Sequence, residues 1–405
     1  MAIKLKRMWP EYNLNSSYDA VIIGGGIHGC ATAYYLAKDQ GMKNIAVIEK
    51  NCIGYGGSGR NTAIVRANQR TQSNLRLHKE GIELWPQLTC ELDFNLMFNQ
   101  SGHLSLAHSE ATIGAFRINV SSAQLSGVDC KFIDAEECRE LVPALSLSRD
   151  ITHPVCGGIY SPPGGVLRHD AVIWGLARGA SSHGVHIHQG VEVTGIDVVD
   201  HKIQGVTTSK GKIKTPKVIV AGGAYSVQLA EMIGIKLPIH PLTIQAMVTQ
   251  PLKPFLNLAL SSGAYDIYIT QTLKGEIATG AHMDEAPNFT SSVTSICLKH
   301  QAQMLTELLP CMKGARFMRI WGGLADMAPD MAPIIFGNDE IEGFFFNGAW
   351  GYYGFKSGPI VGKYMAQFVA TDVTPHHLEQ FTNKRFARFR YTGERAVPAQ
   401  IGPWN

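Results

Sequence analysis

Short apolar runs alternate with amphipathic segments along this chain, and the first such group lies near the N-terminus. Residues 18–24 form an apolar run typical of a buried strand. Residues 29–39 have the spacing of a helix that starts with small residues, and residues 45–49 form a second apolar run. Two strands joined by a helix within about 30 residues predict a parallel pair with a right-handed crossover.

Similar signals recur in the middle and near the end of the chain. Residues 191–215 predict a meander of short strands with turns at 200–201 and 210–211, and residues 218–223 predict a buried strand that ends in glycines. Residues 344–348 predict another buried strand, and residues 358–370 another helix. We interpret this spacing as one nucleotide-binding domain interrupted twice by insertions, rather than as three unrelated α/β segments.

Composition narrows the class of protein. The chain has 405 residues, of which 45% are hydrophobic, and this suits one large domain or two to three interleaved ones. Lys and Arg total 36 and Asp and Glu total 33, which leaves a formal charge of only +3. Such a balance excludes a bulk electrostatic attraction to nucleic acid or to an anionic membrane. The sequence shows no internal repeat and no low-complexity linker.

The apolar stretches and the cysteines indicate in which cellular compartment the protein is expected. No uninterrupted apolar stretch reaches the roughly 18 residues that span a bilayer, and the N-terminal residues lack the pattern of a secretory signal. The eight cysteines are scattered without a C-x-x-C pair, which argues against a disulfide framework and a zinc site. We therefore expect a cytoplasmic protein without a metal centre.

The first strand leads into a glycine-rich loop. Gly24, Gly26 and Gly29 form a G-x-G-x-x-G pattern, in which glycines permit a tight turn and a close approach of the backbone to a pyrophosphate. Glu49 follows at the end of the second strand, where its carboxylate could accept ribose hydroxyls; the alternative is a surface carboxylate without a ligand. The loop alone does not distinguish FAD from NAD. A second glycine-rich segment, residues 348–356, would suit a flavin buried along its whole length.

Four further segments carry a family resemblance. They are residues 59–66 (GRNTAIVR), 164–170 (GGVLRHD), 321–323 (WGG) and 351–356 (GYYGFK). With the dinucleotide loop, this co-linear set resembles the amine-oxidising flavoproteins of the D-amino-acid-oxidase/sarcosine-oxidase group. Over residues 18–381 it is most similar to the β subunits of heterotetrameric sarcosine oxidases.

The resemblance implies an α/β fold and a domain plan. A Rossmann-like FAD-binding domain of the glutathione-reductase type would be interleaved with a mixed-sheet α+β substrate domain. The FAD-binding domain would comprise residues 17–90, 151–232 and 321–375. The substrate and interface domain would comprise residues 91–150 and 233–320. Residues 1–16 and 376–405 would be terminal arms.

The resemblance also implies two flavins. Non-covalent FAD would contact the residues that match the family's cofactor site: Gly24, Gly26, Ile27, His28, Gly29, Glu49, Ser58, Arg60, Asn61, Val193, Gly351, Gly354 and Lys356. FMN would be bonded covalently to His169; the alternative is an ordinary loop histidine. Monomeric relatives attach FAD through a cysteine near the C-terminal flavin loop, and this chain has no cysteine after Cys311.

Arg66 and Lys356 match the family's two carboxylate-binding cations. Arg66 could instead form a structural salt bridge, and Lys356 could contact the flavin only. Tyr268 and His282 match positions at which monomeric relatives place polar groups over the substrate. The heterotetrameric enzymes more often have a small residue at the position of His282, so a larger substrate such as N-methylglutamate is an alternative, as is a strand-end histidine without a role in binding.

The implied function is oxidative demethylation of sarcosine in a hetero-oligomer with α-, γ- and δ-type subunits. Hydride would pass to FAD, electrons would continue through FMN to oxygen, and the imine would be hydrolysed or would meet tetrahydrofolate in a partner subunit. No general base is assigned. One alternative is a subunit of an N-methylglutamate, opine or proline/hydroxyproline dehydrogenase with another acceptor, and a second is a non-catalytic FAD-holding subunit.

Overall fold

The computed structural model describes residues 7–67, 71–284, 286–337 and 339–392. Its helices are α1 (Ile27–Lys38), α2 (Gln72–Glu91), α3 (Glu110–Leu125), α4 (Ala135–Leu141), α5 (His169–Ser182), α6 (Ser226–Glu231), α7 (Ser295–Leu308), α8 (Gly358–Thr371) and α9 (Lys384–Ala387).

The strands of the N-terminal half are β1 (Ala20–Ile23), β2 (Ile45–Glu49), β3 (Ile64–Val65), β4 (His103–Ala107), β5 (Lys131–Asp134), β6 (Gly157–Ser161), β7 (Gly165–Val166), β8 (His186–Gln189), β9 (Val193–Val199) and β10 (Lys202–Thr208). Those that follow are β11 (Gly211–Lys214), β12 (Val218–Val220), β13 (His240–Pro251), β14 (Ala259–Ser262), β15 (Ile267–Gln271), β16 (Glu276–Met283), β17 (Phe317–Met327), β18 (Ile334–Gly337) and β19 (Phe344–Gly348).

A six-stranded sheet carries the dinucleotide loop. Its order is β18-β19-β12-β1-β2-β8, and all neighbouring pairs are parallel except β18 with β19. β1 lies between β12 and β2, so the chain leaves its carboxyl end where the strand order reverses. In open α/β sheets such a point is where ligands bind.

Both faces of this sheet are covered, which explains why its strands are uniformly apolar. Ala20 and Ile22 of β1 pack into a core formed with helices α1, α5 and α8. Val21 and Ile23 point to the opposite face and pack against the sheet of β9, β10 and β11. The period-2 alternation of the strand thus divides β1 between two cores.

An eight-stranded mixed sheet forms the second layer. Its order is β17-β13-β16-β15-β14-β4-β6-β5, and β4 pairs parallel with β14. Leu104 and Leu106 of β4 pack with Leu260 of β14, Ile269 of β15 and Leu305 of α7 in a separate core. The other face of β4 and β14 is therefore the one available for polar side chains.

The structure confirms the α/β class with interleaved sheets, and most local predictions hold. The strands at 45–49 and 344–348 match, and the meander has its turns where expected, with positive φ at Asp200 and His201. Helix α1 begins at Ile27 rather than at residue 29, because Gly26 is extended and ends the preceding loop. The two predicted terminal arms fall partly on residues 1–6 and 393–405, which lie outside the described residues.

The division into domains stays a prediction. β6, within the segment 151–232 assigned to the FAD-binding domain, pairs with β4 and β5 in the eight-stranded sheet. β17 begins at Phe317, four residues before the predicted limit at 321. Strands of the eight-stranded sheet thus lie within segments that were assigned to the FAD-binding domain, near both limits.

Candidate functional site

The turn between β1 and α1 has almost no free space around its glycines. Gly24 has φ of +117°, and a Cβ placed there would lie 2.3 Å from the carbonyl oxygen of Ala221. A Cβ on Gly29 would lie 2.0 Å from the carbonyl oxygen of Gly24. Larger residues at either position would push the turn away from β12 or lift α1 from the sheet. The glycines therefore fix a helix N-terminus at the sheet's carboxyl edge, where peptide N–H groups favour anions.

Two N–H groups of this turn, those of Gly25 and Ile27, donate hydrogen bonds to side chains. The carboxylate of Glu49 accepts hydrogen bonds from the backbone N–H of Gly25 and of Asn51, both at 2.8 Å. The hydroxyl of Ser58 accepts from the N–H of Ile27 at 3.0 Å. An ionised carboxylate has about four acceptor positions, so Glu49 retains capacity for ribose hydroxyls while it shapes the loop.

A cleft of about 630 Å³ opens at this turn. That volume is typical of sites for large organic ligands. Most of the predicted cofactor residues line it, together with Tyr268: Gly24, Gly26, Ile27, His28, Glu49, Ser58, Arg60, Asn61, Val193, Gly351 and Gly354. Segments that are remote in the sequence thus converge on one cavity. The tightly packed glycines of the turn and the carboxylate of Glu49 fit an adenine dinucleotide such as FAD.

Arg60 joins the cleft to the eight-stranded sheet. Its guanidinium donates to the carbonyl oxygens of Tyr55 at 3.0 Å and Gly322 at 3.1 Å. The indole of Trp321 in turn donates to the carbonyl oxygen of Arg60 at 2.8 Å. Arg60 is therefore bound to β17 by two hydrogen bonds, one that its side chain donates and one that its backbone accepts.

The C-terminal glycine-rich loop closes the other side of the cleft. Trp350 and Gly351 line the cavity, and the indole of Trp350 stacks on the imidazole of His28. Burial lowers the pKa of His28 to about 3, so its ring is neutral at physiological pH. The contact therefore joins the first turn of α1 to the loop after β19 without placing a positive side chain there.

A buried carboxylate supports the same loop. Asp326 at the end of β17 lines the cleft, and its Oδ1 accepts a hydrogen bond from the N–H of Gly351 at 3.2 Å. Burial raises the pKa of Asp326 to about 6, and the N–H groups of Ala349, Trp350 and Gly351 partly offset that rise. Sequence reasoning missed Asp326, whose only local signal is a single acid at the end of an apolar strand.

Arg66 and Lys356 both lie near two buried histidines, His78 and His103. The Nη1 of Arg66 donates to Ser105 Oγ at 3.2 Å, and Lys356 is only 8% exposed. Burial lowers the pKa of His78 to about 3 and that of His103 well below its usual value, and the charges of both cations lower each further. Two cations that are remote in sequence thus share one pocket with two neutral imidazoles, here called the cation pocket.

Tyr268 connects the cleft to the sheet face that carries the cation pocket. It lines the cleft on β15 and pairs across the sheet with Ser261 on β14. Burial raises the pKa of Tyr268 well above its usual value, so the phenol remains protonated. Ser261 pairs in turn with Ser105 on β4, the residue that accepts a hydrogen bond from Arg66. Tyr268, Ser261 and Ser105 thus lie side by side on three neighbouring strands, from the cleft to Arg66.

His282 lies elsewhere. Its Nδ1 is 3.6 Å from a carboxylate oxygen of Asp266, and its ring packs beside His300 of α7. Ala281 has φ of +120°, and the pairing of β16 with β13 shifts register at this point. Among the described residues that line the cleft, His282 is absent. Its role in substrate binding stays a prediction.

His169 is the first residue of α5 and is partly buried beside Gly59. Burial lowers the pKa of His169, while Asp170 and the Gly59 backbone act in the opposite direction. The imidazole is consequently neutral near pH 7, as a nucleophilic ring nitrogen requires. Gly59, which His169 contacts, directly precedes Arg60 and Asn61, and these two residues line the cleft.

Three further observations concern metal ions, membranes and disulfides. Across the described ranges, no cluster of three or more His, Cys, Asp or Glu side chains has a geometry suited to a metal ion. No described helix combines the length and the apolar character needed to cross a membrane. All eight cysteines fall within the described ranges, and each is a free thiol.

Comparison with known proteins identifies the family. Residues 19–368 match the model of the DAO family, described as FAD dependent oxidoreductase. The chain is 37% identical over 392 residues to the sarcosine oxidase subunit beta of Rhizobium meliloti strain 1021, and the alignment covers 97% of this chain and 94% of that protein. It is 36% identical to the subunit of the same name from an Arthrobacter species, with 92% and 93% covered.

A solved structure agrees with these sequence matches. The L-proline dehydrogenase of P. horikoshii superposes with a TM-score of 0.87 at 30% identity, covering 93% of this chain and 99% of that one. Fold, cleft and sequence relatives lead to the same assignment. The chain belongs to the DAO family of FAD-dependent oxidoreductases and is a homologue of the sarcosine oxidase β subunits.

Proposed function

We propose that this chain is the catalytic β subunit of a hetero-oligomeric enzyme that oxidatively demethylates sarcosine. The observation that carries the proposal is the cation pocket, in which Arg66 and Lys356 act on the same buried histidines, on a sheet face whose Tyr268 lines a cleft that fits FAD. Bound FAD supplies the hydride acceptor for the C–N oxidation. The names of the sarcosine oxidase relatives, which are subunits, support a multi-subunit enzyme.

Within this proposal the cations bind and orient the substrate. The guanidinium of Arg66 offers a planar pair of donors that matches a carboxylate, and Lys356 adds a compact charge. Lys356 is held in place through its backbone, because its carbonyl oxygen accepts from the indole of Trp85 at 3.1 Å. Anchoring the carboxylate fixes the N-methyl carbon relative to the cleft, and such positioning lowers a barrier by several kcal/mol.

The surroundings of the cations support this role. His78 and His103 stay neutral, so they add polar contacts without adding positive charges that would repel the two cations. Tyr268, also neutral, supplies a phenol at the cleft end of the same sheet face. We assign no general base, since an amine that binds unprotonated needs none.

We further propose that His169 carries FMN covalently. A neutral imidazole nitrogen would replace one hydrogen of the flavin's 8α-methyl group: the C–H bond breaks, its electron pair reduces the flavin, and oxygen as the oxidant restores the oxidised form. FMN so attached would supply an electron outlet. The contact between His169 and the Gly59 backbone supports an attachment beside the wall of the FAD cleft. In this proposal α-, γ- and δ-type subunits complete the enzyme in the cytoplasm, and tetrahydrofolate binds in a partner.

The mass of the denatured chain tests the FMN proposal. The chain purified with its natural partners should exceed its sequence mass by one FMN, and peptide mapping should place the addition on His169. His169→Asn should lack the addition, whereas His183→Asn, a change in a histidine just after α5, should keep it. An unmodified wild-type chain would refute covalent attachment and leave the FAD assignment intact.

A proline-type dehydrogenase is the second candidate, and a specific observation favours it. The chain superposes on an L-proline dehydrogenase over nearly its whole length. Steady-state assays with sarcosine, L-proline and N-methylglutamate, each with oxygen and with an artificial dye as acceptor, discriminate between them. Sarcosine with oxygen should give the largest kcat/KM. A preference for L-proline with the dye would overturn the sarcosine proposal in favour of this second candidate.

A further inference from the structure

Strand β4 has one apolar and one polar face. Leu104 and Leu106 are buried in the core that the eight-stranded sheet forms with α7. His103 and Ser105 alternate with them and are also buried, at 1% and 8% exposure, on the opposite face. Polar side chains buried on a sheet face need hydrogen-bond partners, because an unsatisfied group costs about 1–3 kcal/mol.

Those partners form a continuous chain that ends at Arg66. The Nη1 of Arg66 donates to Ser105 Oγ at 3.2 Å. Ser105 Oγ is 3.2 Å from Ser261 Oγ, and Ser261 Oγ is 3.1 Å from Nε2 of His103. We call these three residues, His103, Ser261 and Ser105, the serine–histidine relay.

The relay runs from Arg66 to His103 in the tautomer whose imidazole proton is on Nδ1. Burial, followed by the charges of Arg66 and Lys356, keeps the pKa of His103 well below its usual value, so the imidazole is neutral. An unprotonated Nε2 accepts from Ser261, which then accepts from Ser105, which accepts from Arg66. Each hydroxyl donates once and accepts once in this arrangement, so both serines between Arg66 and His103 are paired, while Nδ1 of His103 is buried without a partner among the described residues.

The sheet makes this chain rigid and relates it to the cleft. Ser105 pairs with Ser261 on β14, and Ser261 pairs with Tyr268 on β15. Neighbouring strands lie about 4.8 Å apart, so the strand that anchors Arg66 runs roughly 10 Å from the strand of Tyr268. The anchor therefore has a fixed distance from a side chain that lines the cleft.

We propose that the serine–histidine relay is a positioning network that pre-orients the Arg66 guanidinium for the substrate carboxylate. The inference rests on the proposed function, since it takes Arg66 as the carboxylate-binding cation. An arginine has many rotamers in solution, and a hydrogen bond from its guanidinium to the sheet restricts them. Pre-organisation of this kind raises affinity by reducing the entropy lost on binding.

Ser261→Ala tests the relay, and the next residue provides a matched control. Ser262 lies on the opposite face of β14, is buried, and bonds to Nε2 of His108 at 2.8 Å. Each alanine variant removes one serine–histidine hydrogen bond from the same strand, but only Ser261 is connected to Arg66, through its hydrogen bond with Ser105. The FAD-loaded variants are assayed with sarcosine, and acetate, a carboxylate without an amine, is titrated by its perturbation of the flavin spectrum.

Ser261→Ala should raise the KM for sarcosine and the Kd for acetate by about fivefold, the effect of losing one neutral hydrogen bond, because Ser105 loses the acceptor that orients its hydroxyl for Arg66. Its kcat and its affinity for FAD should stay close to wild type, and Ser262→Ala should change neither KM nor acetate binding. Equal KM and acetate Kd values in the two variants would overturn the relay. If Ser261→Ala does not fold, Ser105→Ala makes the same comparison one step nearer to Arg66.

Arg66→Met separates this inference from the proposed function. Loss of acetate binding in Arg66→Met with normal binding in Ser261→Ala would reject the relay alone. Unchanged acetate binding in Arg66→Met would reject Arg66 as the carboxylate cation, and with it both proposals about this pocket.

Discussion

The imidazole of His28 stacks on the indole of Trp350, with ring centroids 4.5 Å apart and planes 15° from parallel. The two residues are more than 300 positions apart in the sequence, yet both line the cleft. The indole N–H also donates to Asn347 Oδ1 at 2.7 Å. This pair therefore fixes the C-terminal glycine-rich loop against the first turn of the dinucleotide-binding helix.

Trp350→Leu should weaken FAD binding. The variant keeps an apolar side chain but loses the stacking and the bond to Asn347, together worth about 1–2 kcal/mol. We expect the Kd for FAD to rise about tenfold, measured by quenching of flavin fluorescence in a titration of the FAD-free protein. Trp174→Leu, a change in a 38% exposed indole on α5, is the control and should leave the Kd unchanged. Equal affinities in both variants would show that the stacked pair does not support the cofactor.

Gly29→Ala should disrupt the dinucleotide turn, because its Cβ would lie 2.0 Å from the carbonyl oxygen of Gly24. We expect a loss of FAD binding and a lower melting temperature of the FAD-free protein. A Cβ on Gly114 of α3 would have no neighbouring atom within 4 Å, so Gly114→Ala should stabilise the helix by about 0.5–1 kcal/mol. Normal FAD affinity in Gly29→Ala would contradict the close packing seen at this turn.

Asp326 should make stability depend on pH. Its pKa is raised from 3.8 to about 6 in the folded chain, so the folded state binds the proton more tightly than the unfolded state. Its contribution to the free energy of unfolding is therefore fully present below about pH 4 and is lost as pH rises through 6. The difference between these pKa values corresponds to on the order of 3 kcal/mol.

Asp326→Asn removes this dependence. Denaturant unfolding of the FAD-free protein should show the variant to be more stable than wild type at pH 8, with the advantage shrinking towards pH 4. Asp150→Asn, a change in an exposed carboxylate, should follow the wild-type profile. A constant difference between Asp326→Asn and wild type over this range would contradict the raised pKa.

Arg385 and Asp330 form a buried ion pair that holds the end of the described chain. Their side chains are 3% and 1% exposed, and the guanidinium donates to both carboxylate oxygens at 2.8 and 2.9 Å. Arg385→Met leaves a buried carboxylate without its cation, and we expect a loss of about 3–5 kcal/mol in unfolding free energy. Lys384→Met breaks an exposed pair with Asp339 and should cost less than about 1 kcal/mol. Similar losses in both variants would contradict the assigned difference in burial.

The sequence predicts the parts of the site whose chemistry is local. Gly24, Gly26 and Gly29 follow an apolar strand at fixed spacing, so the turn is predictable without knowledge of the fold. The strand at 344–348 and the meander turn at Asp200 follow from equally local rules. The family resemblance adds residues such as Arg60 and Val193, which the structure places on the cleft.

Contacts between remote segments are not predictable in this way. The relay needs the register of β4 with β14, which pairs Ser105 with Ser261 across 156 positions. Alternation in residues 103–107 (HLSLA) could have indicated one polar face, but not its partner. Similarly, nothing near Asp326 indicates that the N–H groups of a loop 25 positions later stabilise its ionised form.

In the proposed function, this chain oxidises a secondary amino acid whose carboxylate binds at Arg66. The most direct test is anaerobic mixing of the FAD-loaded enzyme with sarcosine while the visible absorbance of the flavin is followed. We predict that sarcosine bleaches the flavin in a single turnover. In Arg66→Met the sarcosine concentration for half-maximal rate should rise at least about tenfold while FAD stays bound. An oxidised spectrum that persists with sarcosine, L-proline and N-methylglutamate alike would contradict the account.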